Sequence, residues 1–429
     1  MDRRLQARYV KLVESQAKAS ARTAAGPALR PGRASAEAAT QAAWRFYNNE
    51  RIGLSALVEP LRAAGREACA QSASEFVLLA HDWSKLDYGT HASKRDRRQL
   101  THQHDVGYDL TTSLLIDAAN GQPLAPMELH LKTATTVHST SRCPPQAADH
   151  HLDQLLPVME SVGSWELPRR VVHVIDREAD ALGRFRSWDA AGHLFLVRCD
   201  DRRVLWNEGD CLISEIVAEH DRQGGFQEVR QFQDQGQTVQ QGVAEAQVTL
   251  HRPHKARVDG TPRKVAGAAL KLRLIMTRVV DAAGNRLAEW TLLTNAPVST
   301  DASQIALWYY WRWRIESFYK LLKSHGQEIE YWQQETGVAI ARRLLVAAMA
   351  CVAVWTLQRD DTPQAEETKQ LLLRLSGRAR KRNAAATASA LLAGYFVLLS
   401  LTDLLENTDL DLPKLQTLAA RANPFPNTS

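Results

Sequence analysis

Apolar and polar positions change their period several times along the chain, and each change marks a new kind of element. From Glu75, the segment FVLLAHDWSKLDY opens as a short apolar run of strand type and closes in polar residues. Two further strands are expected around Tyr108 to Ile116 and Met127 to Lys132. A helix is expected from about Ala147 to Val162, a buried strand at VVHVID, a helix from about Ala179 to Trp188 and a strand at HLFLVRC. Three strands, helix, strand, helix, strand is an α/β order, with helices packed on the faces of a sheet. From Asp200 to Glu289 the chain is rich in Gln and Gly, and Leu270, Leu272 and Leu274 alternate with Lys271 and Arg273. That alternation predicts half-buried antiparallel strands, a β insertion in the α/β region.

Beyond Pro297 the period becomes helical, with a long helix expected from Ser303 to His325, another from Val338 to Gln358, and a helical tail. The N-terminal segment is helical in pattern until Gly26, Pro27 and Pro31 interrupt it, and a second helical stretch carries Trp44, Phe46 and Tyr47. These changes divide the chain into a helical N-terminal region (1–72), a first α/β part (73–200), a β-strand insertion (201–296), a helical completion of the α/β domain (297–358) and a helical C-terminal region (359–429).

Composition narrows the class. A hydrophobic content of 45% and a charged content of 24% are ordinary for a globular chain, which sets aside disordered, collagenous and coiled-coil proteins. The longest uncharged apolar stretch, Leu344 to Leu357, falls short of the eighteen or so residues of a membrane helix, and the charged N-terminus MDRRLQARYVKLVE does not read as a signal peptide. A cytoplasmic protein is expected. The five cysteines are scattered without a C-x-x-C pair, so neither a disulfide framework nor a structural zinc site is supported. The net charge of +5 says less than its placement. Met1 to Arg33 holds eight basic against two acidic residues, and Arg378, Arg380, Lys381 and Arg382 cluster near the other end. Such segments suit DNA phosphates or, equally, a solvated helix face.

Three constellations carry candidate chemistry. Unrolled at about 100° per residue, the long helix puts Tyr309, Arg312, Glu316 and Lys323 in one polar arc opposite Leu307, Trp311, Ile315, Phe318 and Leu322. One carboxylate among two cations and a phenol is the composition of a stripe that holds a metal and a phosphate, although a solvent face has the same period. Asp176-Arg177-Glu178-Ala179-Asp180 follows the buried run VVHVI, where open α/β sheets place ligand-binding groups and where an aspartate also caps helices. Asp82 ends the run FVLLAH in the same way. Two-metal phosphoryl transfer needs carboxylates converging from separate elements, which these three would supply.

The spacing Tyr309-x2-Arg312-x3-Glu316-x6-Lys323 within LWYYWRWRIESFYKLLKSHG, together with DREAD at 176–180, resembles the signatures of bacterial DDE transposases of the insertion-sequence-four family. The resemblance implies a ribonuclease-H-like catalytic fold interrupted by a β-strand domain, with helical N- and C-terminal regions. It implies Asp82, Asp176 and Glu316 as the catalytic triad holding two Mg2+ ions, with Mn2+ able to substitute, and Asp87 as a neighbouring competitor for the first position. Tyr309, Arg312 and Lys323 would contact DNA, with Arg177 and Arg198 as further DNA-binding candidates. Trp290, which opens WTLLTNAPV, would receive a flipped base, although core packing is its ordinary reading. The implied activity is metal-dependent cleavage and strand transfer in cut-and-paste transposition. The implied partners are double-stranded DNA with terminal inverted repeats, target DNA and a second copy of the chain in a synaptic complex, in the bacterial cytoplasm at the nucleoid and without a membrane. Two rivals remain: a nuclease of the same fold without strand transfer, and a catalytically inactive DNA-binding relative or transposition inhibitor.

Overall fold

The structure, a computed structural model, describes residues 3–18, 36–146, 150–234, 237–258, 261–324, 326–377, 386–407 and 410–422. Three helices come first: α1 (Arg3–Lys18), α2 (Ala36–Tyr47) and α3 (Leu54–Ala70). They are followed by β1 (Phe76–Asp87), β2 (Arg98–Gln99), β3 (Val106–Asp117), β4 (Pro123–Lys132), β5 (Val137–Ser139), α4 (Leu155–Ser161), β6 (Arg170–Ile175), α5 (Leu182–Ala190) and β7 (Leu194–Arg198). The expected order of three main strands, helix, strand, helix, strand is the observed one. The helix expected over 147–162 is shorter, because 3-10 turns flank α4 on both sides and residues 147–149 lie outside the described residues.

The insertion comprises β8 (Arg203–Trp206), β9 (Gly209–Leu212), α6 (Ile213–Arg222), β10 (Gln227–Asp234), β11 (Gln237–Leu250), β12 (His254–Val258), β13 (Thr261–Val265), β14 (Leu270–Asp281) and β15 (Arg286–Thr294). Two findings correct the expectation of a half-buried insertion of strands alone. It contains a helix, α6, and its long strands continue the same sheet, since β15 pairs antiparallel with β7. Arg273 is buried beside Leu272 and Leu274, because its guanidinium pairs with Glu245 and donates to the Pro297 and Thr300 carbonyls. A cation with that many partners can alternate with leucines and still point inward.

The main sheet runs β5-β4-β3-β1-β6-β7-β15-β14-β11-β8-β9. Neighbours β4, β3 and β1 are antiparallel, whereas β1, β6 and β7 are parallel. One face is covered by α4, α5 and α6. The other is covered by α7 (Ala302–Trp311), α8 (Arg314–Lys323) and α9 (Gly337–Arg359) together with α1 to α3. The tail forms α10 (Pro363–Leu375), α11 (Ala388–Asn407) and α12 (Leu412–Ala422). The basic cluster at Arg378 to Arg382 lies outside the described residues.

α9 is long and apolar enough, by length and composition alone, to cross a membrane, which corrects the shorter apolar stretch read from the sequence. It is the central helix of the fold, and 83% of that apolar window is buried against protein. Thr336 caps its start by accepting from the Ala339 amide, and its run of alanines lets neighbouring helices approach closely.

Candidate active site

β1 is twelve residues long, and its two neighbours are of unequal length. On one side it pairs with β3 as far as Asp87, and on the other β6 stops at Ile175, opposite His81. Asp82 is therefore not at the end of its strand, as the apolar run implied. It stands in mid-strand, at the first position where β1 has outrun β6. Ile175 also pairs with Val197, so Asp176 comes level with Asp82 on one side and Arg198 on the other. Leu292 of β15 pairs with Arg198. Trp290 lies two residues before it on the same strand face, half-buried against the helical layer. Trp290 thus sits at the rim of this row, neither fully enclosed in the core nor free in solvent.

The expected helix over 303–325 is two helices, which corrects the continuous polar arc. Between α7 and α8 the Arg312 amide bonds to the Tyr309 carbonyl and the Ile315 amide to the Arg312 carbonyl, so the chain tightens to i→i+3 bonding. Tyr309 and Arg312 consequently do not lie on a solvent face, being only 4% exposed each. They turn toward the sheet edge. Glu316 is in the first turn of α8, where the helix dipole favours a carboxylate.

Arg312 joins the three acids. Its guanidinium lies 3.5 Å from Asp82 Oδ2, 3.6 Å from Asp176 Oδ2 and 3.1 Å from Glu316 Oε1. Tyr309 donates its hydroxyl proton to Asp176 Oδ1 at 3.0 Å, and the Arg177 amide donates to the same oxygen at 2.7 Å. Asp176 is therefore both the cap of the 3-10 turn 177–179 and a member of the acidic group. Tyr319, which the sequence reading passed over, donates to the Asp82 carbonyl at 2.7 Å and pins β1 at that residue. Its place one turn after Glu316 on α8 is the signal that was available.

These contacts set the charges. Burial pushes Asp82 up to about 6, against the opposing pull of Arg312 and the Trp83 amide. Burial also acts on Asp176, but the Arg177 amide, Arg312, Tyr309 and Arg198 outweigh it and hold that carboxyl below its usual range. Burial and the Asp176 charge raise the Tyr309 phenol, so it stays a proton donor. Arg312 is disfavoured by burial yet ends above its ordinary value because Tyr309 and all three carboxylates face it. Asp82 and Arg312 thus move in senses that look opposed across one ion pair. The reason is that Arg312 is served by a phenol and three carboxylates, whereas Asp82 sets one long contact to Arg312 and the Trp83 amide against burial and the charges of Glu316 and Asp176.

The other predicted residues fall farther out. Lys323 pairs with Glu330 at 3.3 Å and donates to the Lys85 carbonyl, beyond Asp82 along β1. Arg177 is exposed and pairs with Asp200 at 3.3 Å. Asp87, the last residue of β1, is exposed and spends its carboxylate on the Gly89 amide of the following turn. In DREAD the acids separate: Glu178 meets His151 and Asp180 pairs with Arg202 at 2.5 Å. A cavity of about 810 Å³ lined by Arg314, Lys320, Trp355 and Glu366 opens on the opposite side of α8 from Tyr319 and does not include the acids.

The donor set suits a hard divalent cation, since it consists of carboxylate oxygens from three separate elements. Arg312 Nε is buried and, among the described residues, has no hydrogen-bond partner, a donor left over for an oxygen ligand.

No protein-family model matches the chain, and no curated protein matches it. Among solved structures it is similar to a piggyBac transposase in a synaptic complex with hairpin DNA, at 9% identity and a TM-score of 0.33. The match covers 85% of this chain, and the chain spans 61% of that one. A likeness this distant carries no argument, and the functional reading rests on the site.

Proposed function

We propose that the chain is a DDE transposase with a ribonuclease-H-like catalytic unit, acting on double-stranded DNA ends and target DNA as a homodimer. The observation that carries this is the convergence of Asp82, Asp176 and Glu316 on the single guanidinium of Arg312. The strand order β4-β3-β1-β6-β7, with the first acid on its central strand and the second just past the neighbouring parallel strand, supports the fold assignment. The spacing of Tyr309, Arg312, Glu316 and Lys323 supports the family.

Asp82, Asp176 and Glu316 would hold the divalent ions, Mg2+ or Mn2+. Bound there, such ions would activate a water or a DNA 3'-hydroxyl as the nucleophile and would stabilise the leaving oxygen of a phosphodiester. The protein's own groups do the rest. Arg312 balances three neighbouring negative charges and offers its spare donor to a phosphate oxygen. Tyr309, kept protonated, orients Asp176 and is no nucleophile. Tyr319 fixes the backbone from which Asp82 projects. Trp290, half-buried on β15, would offer a ring face to a flipped base, a stack worth about 1 to 3 kcal/mol.

The test is incubation of the purified chain and Mg2+ with a plasmid carrying the DNA that flanks its own coding sequence. The expected products are 3'-hydroxyl ends and joined strands, both lost in D82A, D176A and E316A. Ends without joined strands would favour the nuclease, and neither product would favour the DNA-binding relative.

A further inference from the structure

The DREAD glutamate is not used by the acidic group, and its surroundings give it a different chemistry. Glu178 Oε1 lies 2.9 Å from His151 Nε2. The ring of His151 lies tilted by 36° against that of His150 at a centroid distance of 4.0 Å, and by the same angle against that of Trp83 at 4.0 Å. His150, His151 and Glu178 each offer a ligand atom, and the three atoms lie within 4.8 Å of one another. His150 Nδ1 accepts a long 3.3 Å contact from the Leu152 amide, a cap bond that a metal–nitrogen bond can replace.

We propose that His150, His151 and Glu178 form a binding site for a zinc-class transition ion, separate from the carboxylate group at Asp82, Asp176 and Glu316. Two imidazoles and a carboxylate match the ligand preference of zinc and its neighbours, whereas magnesium favours oxygen alone. Three protein ligands leave a fourth position open to water or to an oxygen of a bound molecule. The site joins two short 3-10 turns. One, His151–Gln154, leads into α4, and the other, Arg177–Ala179, is the turn that Asp176 caps. An ion held here clamps the Asp176 turn from outside, next to Trp83, the neighbour of Asp82 on β1. The inference stands whether or not the chain cleaves DNA.

The experiment is zinc titration of the metal-free full chain by calorimetry, with cobalt substitution read from its absorption spectrum. With Mg2+ in excess to occupy the carboxylate group, the expected result is one tight equivalent of Zn2+ per chain and a cobalt spectrum of nitrogen–oxygen coordination. Affinity should fall at least tenfold in H151A and in E178Q, and should persist in the double variant D82N/E316Q. E178Q keeps a hydrogen-bonding group opposite His151, and its metal-free unfolding midpoint shows that the fold is retained. Less than one equivalent of zinc in the wild type, unchanged affinity in E178Q, or loss of the ion in D82N/E316Q would each overturn the proposal.

Discussion

Asp82 and His81 are adjacent on β1, point to opposite faces, and respond to acid in opposite senses. Asp82 has an ordinary value of 3.8 and rises to about 6 on burial, so the folded state binds more protons between those values. Stability contributed by this residue therefore falls as pH rises through that window, and the cost is fully present above pH 6. D82N removes the buried charge and should stabilise the metal-free protein at pH 7 by on the order of 1–3 kcal/mol, with little effect near pH 3.5. Urea unfolding at both pH values checks this, and destabilisation at pH 7 would show that the Arg312 contact outweighs burial. His81 is 1% exposed and bonded at 2.9 Å to both Ser113 Oγ and His173 Nδ1. Burial pulls it from 6.5 down to about 3, so the unfolded state binds more protons between those values and stability is lost as pH falls below 6.5. H81Q should keep a neutral partner for Ser113 and unfold less readily at pH 4, relative to its own stability at pH 7, than the wild type does.

The placement of Arg312 and Glu316 depends on a hairpin turn in another part of the chain. The turn between β3 and β4 presents the Ala118 carbonyl to Trp308 Nε1 and Gln304 Nε2, each at 3.1 Å, and the Gly121 carbonyl to Arg314 Nε at 2.8 Å. α7 and α8 are thereby gripped on either side of their tightened joint. Gly121 has φ +71°, and a Cβ there would meet the Trp311 ring at 2.4 Å. G121A combines backbone strain with that clash and should cost about 1–3 kcal/mol of stability. It should also depress any Mg2+-dependent activity more than its loss of stability explains, which thermal melts and cleavage rates on the same preparation would separate. A neutral G121A would mean that the joint is set by α7 and α8 alone.

Over the whole molecule, the N-terminal helices behave as part of the core. Tyr9 and Leu12 of α1, Phe46 and Tyr47 of α2 and Leu57 and Leu61 of α3 share one apolar cluster with α9. Arg342 of α9 donates to the Tyr47 and Ile52 carbonyls at 2.8 and 2.9 Å, which ties the helical entry to the central helix. Arg4 and Arg8 remain exposed on α1, so a DNA-facing surface is compatible with this packing. Removing residues 1–72 would uncover the apolar surface of α9, and the fragment 73–429 should aggregate rather than yield a soluble catalytic unit. Size-exclusion chromatography with light scattering checks this, and a monomeric fragment with the full-length melting temperature would refute the shared core.

Local pattern determined the order of strands and helices from Phe76 to Arg198, the antiparallel character of the Leu270 strand and the long apolar helix after Thr336, because hydrophobic period reports which side of an element is buried. It also placed Asp176, since a buried run that ends in a carboxylate is visible in one segment. Period cannot say what an element is buried against. That Asp82 faces the site from mid-strand follows from β6 being shorter than β1, a property of a neighbour some ninety residues away. That β15 extends the sheet at β7, that Arg273 points inward, and that α7 and α8 part at Arg312 are likewise consequences of distant partners. The chain itself lists Asp176, Glu178 and Asp180 together. Tertiary structure alone sends them to Arg312, His151 and Arg202, because each side chain settles on whichever opposite charge or donor the fold brings within reach.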